Sequence, residues 1–287
     1  GQIGAQGVAD NALSGATRGF DAIRQTITAY SEFNDQLKLA GAVSNTTGEA
    51  YRELAEETQR LGVVTSKTPQ EAANAAVELG KLGFAGETLK DNLEGVVRQS
   101  EATGQSVADA ASTFGQAYNV FELSSKQAAD SISALANSSA ASANDVSQVL
   151  SKAGAVGKSA GQDFFTLSSA FGVLRDQGFS AETAATGLKT ALINIQAPSS
   201  KAQKALNEIG VSVRDSDGNF KNLFTILQEF RTELPKLDKT SQDANVQAIF
   251  GKRGAPVFLS LLQKSDAELQ KLRNTIEFQG DAVGTAQ

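Results

Sequence analysis

Apolar side chains recur at three- and four-residue spacing along almost all of this chain, and only 4 prolines interrupt its 287 residues. That period lays an apolar stripe along a helix, where a strand would need strict alternation. Abundant Ala, Ser, Gln and Leu support the same state. The pattern predicts an all-α fold of stacked helical hairpins. Helices are expected near 8–43, 48–61, 69–83, 86–102, 105–120, 125–139, 145–156, 162–177, 181–196, 199–209, 222–234, 241–250 and 255–279. Start signals punctuate them. Thr68-Pro69-Gln70-Glu71 combines an N-cap Thr, a Pro at the first helical position and a Glu at the third. Ser124 with Gln127 has the same form, and Asn144-Asp145, Ser180 with Glu182, and Thr240-Ser241 are further caps. One segment breaks the pattern. Val211-Ser212-Val213-Arg214 alternates and runs into Asp217-Gly218, which predicts a small β-hairpin near 211–220 with Gly218 at positive φ in a primed two-residue turn.

Both ends carry heptad spacing. Leu13, Ala16, Phe20, Ile23, Ile27, Tyr30, Asn34 and Leu37 step alternately by three and four, with a polar residue, Asn34, at one a position. Such a residue sets register and strand number in a coiled coil. Phe258, Leu262, Ser265, Leu269, Leu272, Ile276, Gln279 and Val283 repeat the spacing near the other end. Two readings stay open for each stripe: an oligomerisation seam between copies, or an amphipathic face packed on its own core. The corresponding organisation is an N-terminal heptad helix over 1–45, a helical core over 46–255 and a C-terminal heptad helix over 256–287. A chain without Met is expected to be processed or to be part of a longer one.

An internal echo appears at a shift of 57 residues. It pairs Gly104-Gln105 with Gly161-Gln162, Phe114-Gly115 with Phe171-Gly172, and Ala134-Leu135 with Ala191-Leu192. A second echo pairs Gly83-Phe84 with Gly178-Phe179. Each copy reads as helix, Gly-containing turn, helix, a unit that buries its apolar face by stacking on a neighbour. Residues 131–170 carry only Asp145, Lys152, Lys158 and Asp163 as charges and are otherwise rich in Ser, Ala and Gly, as a thin helical layer would be.

Composition narrows the chemistry. The chain has no His and no Cys, so triads built on His or thiol, thiolate metal sites and His-rich zinc sites are excluded. The net charge is −6, and no basic patch offers phosphate neutralisation, so no specific nucleic-acid binding is expected. Asp215-Ser216-Asp217-Gly218-Asn219 lacks the Gly and Glu spacing of a calcium loop: Gly218 stands fourth and Ile226 twelfth. Gly251-Lys252 lacks the preceding Gly and following Ser or Thr of a phosphate loop and reads as a helix stop. Glu53, Glu56, Glu57, Glu71, Glu78, Glu87, Glu94 and Glu101 lie on polar helix faces and read as solvated surface. No catalytic, cofactor or metal residue is assigned, and the chain reads as a non-enzyme.

Four groups of motifs point to a family. They are Thr58 to Ala73 with Glu78-Leu79-Gly80-Lys81-Leu82-Gly83-Phe84; Ser147 to Val156 with Ala170 to Leu174 and Gly187 to Leu192; Lys204 to Val213 with Asp217-Gly218-Asn219 and the Leu223 to Phe230 helix; and Ile249-Phe250-Gly251 with Gly254-Ala255. In order and spacing, from Asp35 to about Leu262, they resemble the core region of phage tail tape-measure proteins, the minor tail protein family of long-tailed phages. The resemblance implies a structural role in the virion: copies bundled in the tail-tube lumen, a total length that sets tail length, and release with the DNA at infection. The partners it implies are further copies, as a trimer or hexamer, the tail tube protein, tail tip or baseplate proteins, tail assembly chaperones and, after ejection, the host membrane. It implies no cofactor. This chain is short for a full family member, so it reads as a segment of a longer one. The alternative is a stand-alone helical effector module that binds a membrane or partner through the small-residue middle region.

Overall fold

The computed structural model describes residues 27–282, and these are helical almost throughout. The chain divides into two compact units, with the boundary between Leu93 and Glu94. The first unit opens with helical residues 27–43 (α1), followed by α2 (Gly48–Val64), α3 (Pro69–Lys81) and the first half of α4 (Gly86–Thr103). Its core is Leu54 and Leu61 of α2, Leu79 and four alanines of α3, and Leu89 and Leu93 of α4. The alanines let α3 lie close to its neighbours. The cap at Thr68 forms as expected: Thr68 Oγ1 accepts from the Glu71 N–H at 3.2 Å, and Glu71 Oε2 accepts from the Thr68 N–H at 2.7 Å. Ser44 closes α1 by donating to the Ala40 carbonyl, and its hydroxyl is hydrogen-bonded to that of Thr46, which accepts from the Gly86 N–H.

The second unit runs through α5 (Val107–Phe121), α6 (Ser125–Ser138), α7 (Ala143–Val149), one π-helical turn (Leu150–Gly154), α8 (Ala155–Ser159), α9 (Phe164–Asp176), α10 (Ala181–Gln196) and α11 (Ser200–Ile209). A loop leads to α12 (Leu223–Glu233), a 3-10 turn (Leu234–Lys236), α13 (Lys239–Leu262) and α14 (Asp266–Ala282). The expected helix over 145–156 starts earlier, because Ser142, not Asn144, is the N-cap, with Asp145 completing its capping box. Likewise Asp238, not Thr240, caps α13. Gly251, at φ 67° and ψ 179°, kinks α13, and Phe250 and Phe258 stack across the kink with ring centroids 3.7 Å apart.

Two sequence expectations need correction. The β-hairpin near 211–220 does not form. Among the described residues there is no strand, and the segment is a loop with one isolated antiparallel bridge, Arg214 to Phe220. Gly218 does take φ 84°, but no residue beside it does, so the primed two-residue turn is absent. The Asp215 N–H instead donates to the Asn219 carbonyl and closes a three-residue loop with its left-handed residue last. Val211 has already been claimed by the end of α11, where its N–H donates to the Leu206 carbonyl. Val211 and Val213 are nonetheless buried, with Ser212 and Arg214 exposed. The helix expected over 255–279 is broken at residues 263–265, and Ser265 caps α14, which begins at Asp266.

The 57-residue echo has a structural counterpart. Gly104 and Gly161 sit at φ 71° and 70°, each followed by a buried Gln and then by the N-cap of the next helix, Ser106 or Asp163. Leu89, Leu93 and Val96 match Val146, Leu150 and Ala153 in burial, and Phe114, Ala128 and Leu135 match Phe171, Ala185 and Leu192. The second echo also holds: the N–H of Phe84 donates to Leu79 and that of Phe179 to Leu174, both at 3.1 Å, each just after a left-handed Gly.

Candidate functional site

Among the described residues, many carboxylates are engaged in holding helices. Glu57 pairs with Arg60, Glu78 with Lys81, Glu94 with Arg98 and Glu53 with Lys90. The N–H of Thr68 holds the Glu71 carboxyl below its ordinary value, and the N–H and hydroxyl of Ser265 hold Glu268 down to about 2. Asp215 turns its Oδ1 back onto the N–H groups of Asp217 and Asn219. Among the described residues no group of three or more Asp or Glu could hold a metal ion, and no helix is long and apolar enough to cross a membrane.

The two heptad stripes are the candidate surface, and the first seam is the starting point. Leu13, Ala16, Phe20 and Ile23 lie outside the described residues. On α1, Ile27 and Tyr30 are 65% and 67% exposed, Asn34 is half-buried and Leu37 is buried. A different stripe is buried: Phe33, Leu37, Ala40 and Ser44. At 3.6 residues per turn the two stripes lie roughly 70° apart around the helix and share Leu37. One helix thus serves its own core with one face and leaves the adjacent heptad face open at Ile27 and Tyr30.

The second seam is placed differently. Leu269 and Ile276 are fully buried, and Leu262 and Leu272 are half-buried. Leu262 ends α13, and the other three belong to α14, which packs on α6 and α9. Gly172 of α9 permits the approach: a Cβ there would lie 2.7 Å from Leu135 Cδ1 and 3.2 Å from Leu272 Cδ2. Charge fastens the ends of the contact. Arg231 pairs with Asp266, and Arg273 reaches Asp163 at 3.0 Å with its guanidinium 5.9 Å from the centre of the Phe165 ring. The Gln279 side chain and Val283 lie outside the described residues.

Sequence reasoning did not single out the buried glutamines. Gln162 Oε1 accepts from the Leu223 N–H at 2.6 Å, and its amide donates to the carbonyls of Ala160 and Lys221. Gln105 donates to Asn144 Oδ1 at 2.8 Å and accepts from Gln99 at 2.9 Å. The repeated Gly-Gln pair was the available signal.

Residues 48–251 match the family described as phage-related minor tail protein. The chain is similar to the tape measure protein of Pneumococcus phage Dp-1, 24% identical over 254 residues, which cover 88% of this chain and 22% of that protein. It is also similar to the probable tape measure protein of Escherichia phage P2, 27% identical over 264 residues, which cover 90% of this chain and 32% of that protein. The chain therefore spans between 22% and 32% of the length of these curated relatives. No solved structure matches it.

Proposed function

Because this chain belongs to the phage-related minor tail protein family, we propose that it is a structural, non-catalytic segment of a tape-measure protein, carried in the virion tail within the tube lumen, taking part in tail assembly and leaving with the DNA at infection. The observation that carries the reading is the match over residues 48–251, which covers α2 to the Gly251 kink and so takes in most of the helical body. Both similar proteins bear tape-measure names and are several times longer, so the ruler is the whole parent chain and this segment is a folded part of it. Self-association runs through the open heptad face of α1, with Ile27 and Tyr30 at its described end. The tail tube protein, tail tip or baseplate proteins and assembly chaperones are the other partners of this reading.

The test is an in-frame duplication of residues 48–251 in the parent gene, with tail length measured by electron microscopy. As one straight helix, those residues would add about 300 Å at 1.5 Å per residue. A compact core adds far less, but tails still lengthen. Tails of unchanged length, or virions whose tails lack the chain by mass spectrometry, overturn the proposal.

A further inference from the structure

The a/d spacing that ends in α14 continues across the break at residues 263–265. Leu262, Ser265, Leu269, Leu272 and Ile276 step 3, 4, 3, 4 as though the helix had never stopped. The break contains Gln263, Lys264 and Ser265, with neither Pro nor Gly to demand it. It is held by a local cap, in which Ser265 Oγ accepts from the Glu268 N–H at 3.2 Å and Glu268 Oε2 accepts from the Ser265 N–H at 2.9 Å, and by Arg231, which donates to the carbonyls of Leu261 and Leu262. Upstream, α13 is anchored by Phe258, which stacks on Phe250 and meets Phe230 edge to face. The hinge is therefore confined to 263–265; Leu262 stays at the end of α13, and the stripe from Leu269 onward is the part that moves.

The contact holding that stripe is incomplete. A groove of about 380 Å³ remains between Ser138, Val173 and Asp176 on one side and Lys271, Leu272 and Thr275 of α14 on the other. The two ion pairs that fasten the helix, Arg231–Asp266 and Arg273–Asp163, each have a carboxylate partner more than 40% exposed, where water and salt weaken the attraction.

We propose that α14 is a releasable strap whose heptad stripe has two alternative partners: α6 and α9 of its own chain, as in the structure, and α14 of further copies of this chain. Released, α13 beyond Gly251 and α14 straighten into one helix of about 45 Å at 1.5 Å per residue. With Leu262, Leu269 and Ile276 at a, Ser265 and Leu272 fall at d, Glu268 at g and Arg273 at the next e. In a parallel coiled coil a g residue meets the e residue five positions on in the neighbouring copy. Glu268 of one copy then faces Arg273 of the next, an opposite-charge pair that selects a second copy of this chain as the occupant. Arg273 keeps its pair with Glu277 of the same helix and exchanges Asp163 for this new carboxylate, so the pair that closes the strap and the pair that joins copies exclude each other. The inference rests on the self-association in the reading above and adds a concealed second seam to it.

The test uses the whole chain. Asp163→Asn keeps the cap that Thr166 N–H makes with Oδ1 but removes the charge facing Arg273. Hydrogen exchange over residues 266–277 reads strap release, and sedimentation reads association. Exchange is expected to speed up roughly fivefold, the factor for one partly exposed ion pair, and association to tighten by about that factor for each copy that joins. Adding Arg273→Glu, which leaves the Ser265 cap in place and sets two carboxylates against each other between copies, removes that gain, and adding Glu268→Arg to it restores association. Ser265→Leu, which deletes the cap and fills the d position, tightens association by an independent route. An α14 that exchanges freely while every variant sediments as the wild type overturns the proposal, as does an unchanged sedimentation profile in Ser265→Leu. Ile27→Asp with Tyr30→Asp separates the two readings. Association lost in that pair, with Asp163→Asn and Ser265→Leu inert, sinks the strap alone. A wild-type chain that never self-associates sinks the seam reading beneath it.

Discussion

The side-chain oxygen of Gln162 accepts the backbone N–H of Leu223 at 2.6 Å, across 61 residues of chain. The same side chain donates to the Lys221 carbonyl, so one buried amide fixes the end of the 211–220 loop and the start of α12. Gln162→Leu removes the partner of one N–H, that of Leu223, and of two carbonyls, those of Ala160 and Lys221, and is expected to cost about 2–4 kcal/mol. Urea denaturation measures it. Gln203→Leu, at an exposed site, serves as the near-neutral control.

Two glycines are required for different physical reasons. At Gly172 the backbone conformation is ordinary, but Leu135 and Leu272 occupy the space a side chain needs. Gly172→Val is expected to cost about 1–3 kcal/mol through overpacking. At Gly218 nothing lies within 4 Å, but φ is 84°. Gly218→Val is expected to cost about 1–3 kcal/mol through strain, and Gly218→Asn should recover part of it. Thermal melts of the three variants separate the two causes.

Acid should destabilise the fold through its helix caps. Glu268 titrates at about 2 because the Ser265 N–H, then its hydroxyl, and then Lys264 favour the carboxylate. Glu71 and Asp238 are also lowered, by their caps at Thr68 and Ser241. Groups lowered in this way contribute stability above their unfolded values, near 4, and lose it as the pH falls. For Glu268 that loss runs down to about 2. Glu268→Gln should flatten the decline measured by denaturation between pH 5 and pH 2.

Asp130 has the opposite sign. Burial pushes its carboxyl up, opposed by Lys126, and its Oδ2 has no partner. A raised carboxyl favours the fold only when protonated, so this contribution is lost as pH rises. Asp130→Asn is expected to raise the melting temperature at pH 7 and to make no difference below about pH 4, the ordinary unfolded value.

Ile27→Asp with Tyr30→Asp changes two side chains that touch little of their own unit. Stability should shift by less than about 0.5 kcal/mol per site, as at other surface positions. Self-association should weaken, because a charge in an apolar seam is buried without a partner. Sedimentation equilibrium decides; unchanged association removes the α1 seam from consideration.

Much of the fold was legible because helix signals are local. The boxes at Thr68–Glu71 and Ser124–Gln127 need only residues three apart, and both form as read. The misplaced caps at Asn144 and Thr240 had a competing Ser142 and Asp238 two residues away, each equally able to accept an N–H. The 211–220 loop was misread because alternation at Val211 and Val213 marks burial of every second side chain, which a loop end supplies as well as a strand does. The candidate surface was half legible. Heptad spacing located both stripes but could not say which would be covered, and the fold leaves Ile27 open while it buries Leu269 and Ile276.

By itself the sequence determined that this chain is helical, where most of its helices begin, and which repeated Gly-Gln corners turn one hairpin into the next. Those features depend on backbone hydrogen bonds and steric limits spanning three to six residues. The tertiary structure alone decided the partner of each apolar stripe, the break at 263–265, and the link from Gln162 to Leu223. Each of these depends on which helix arrives from dozens of residues away. An apolar stripe gains nearly the same free energy from any dry, complementary surface, so its periodicity carries no record of which surface it meets.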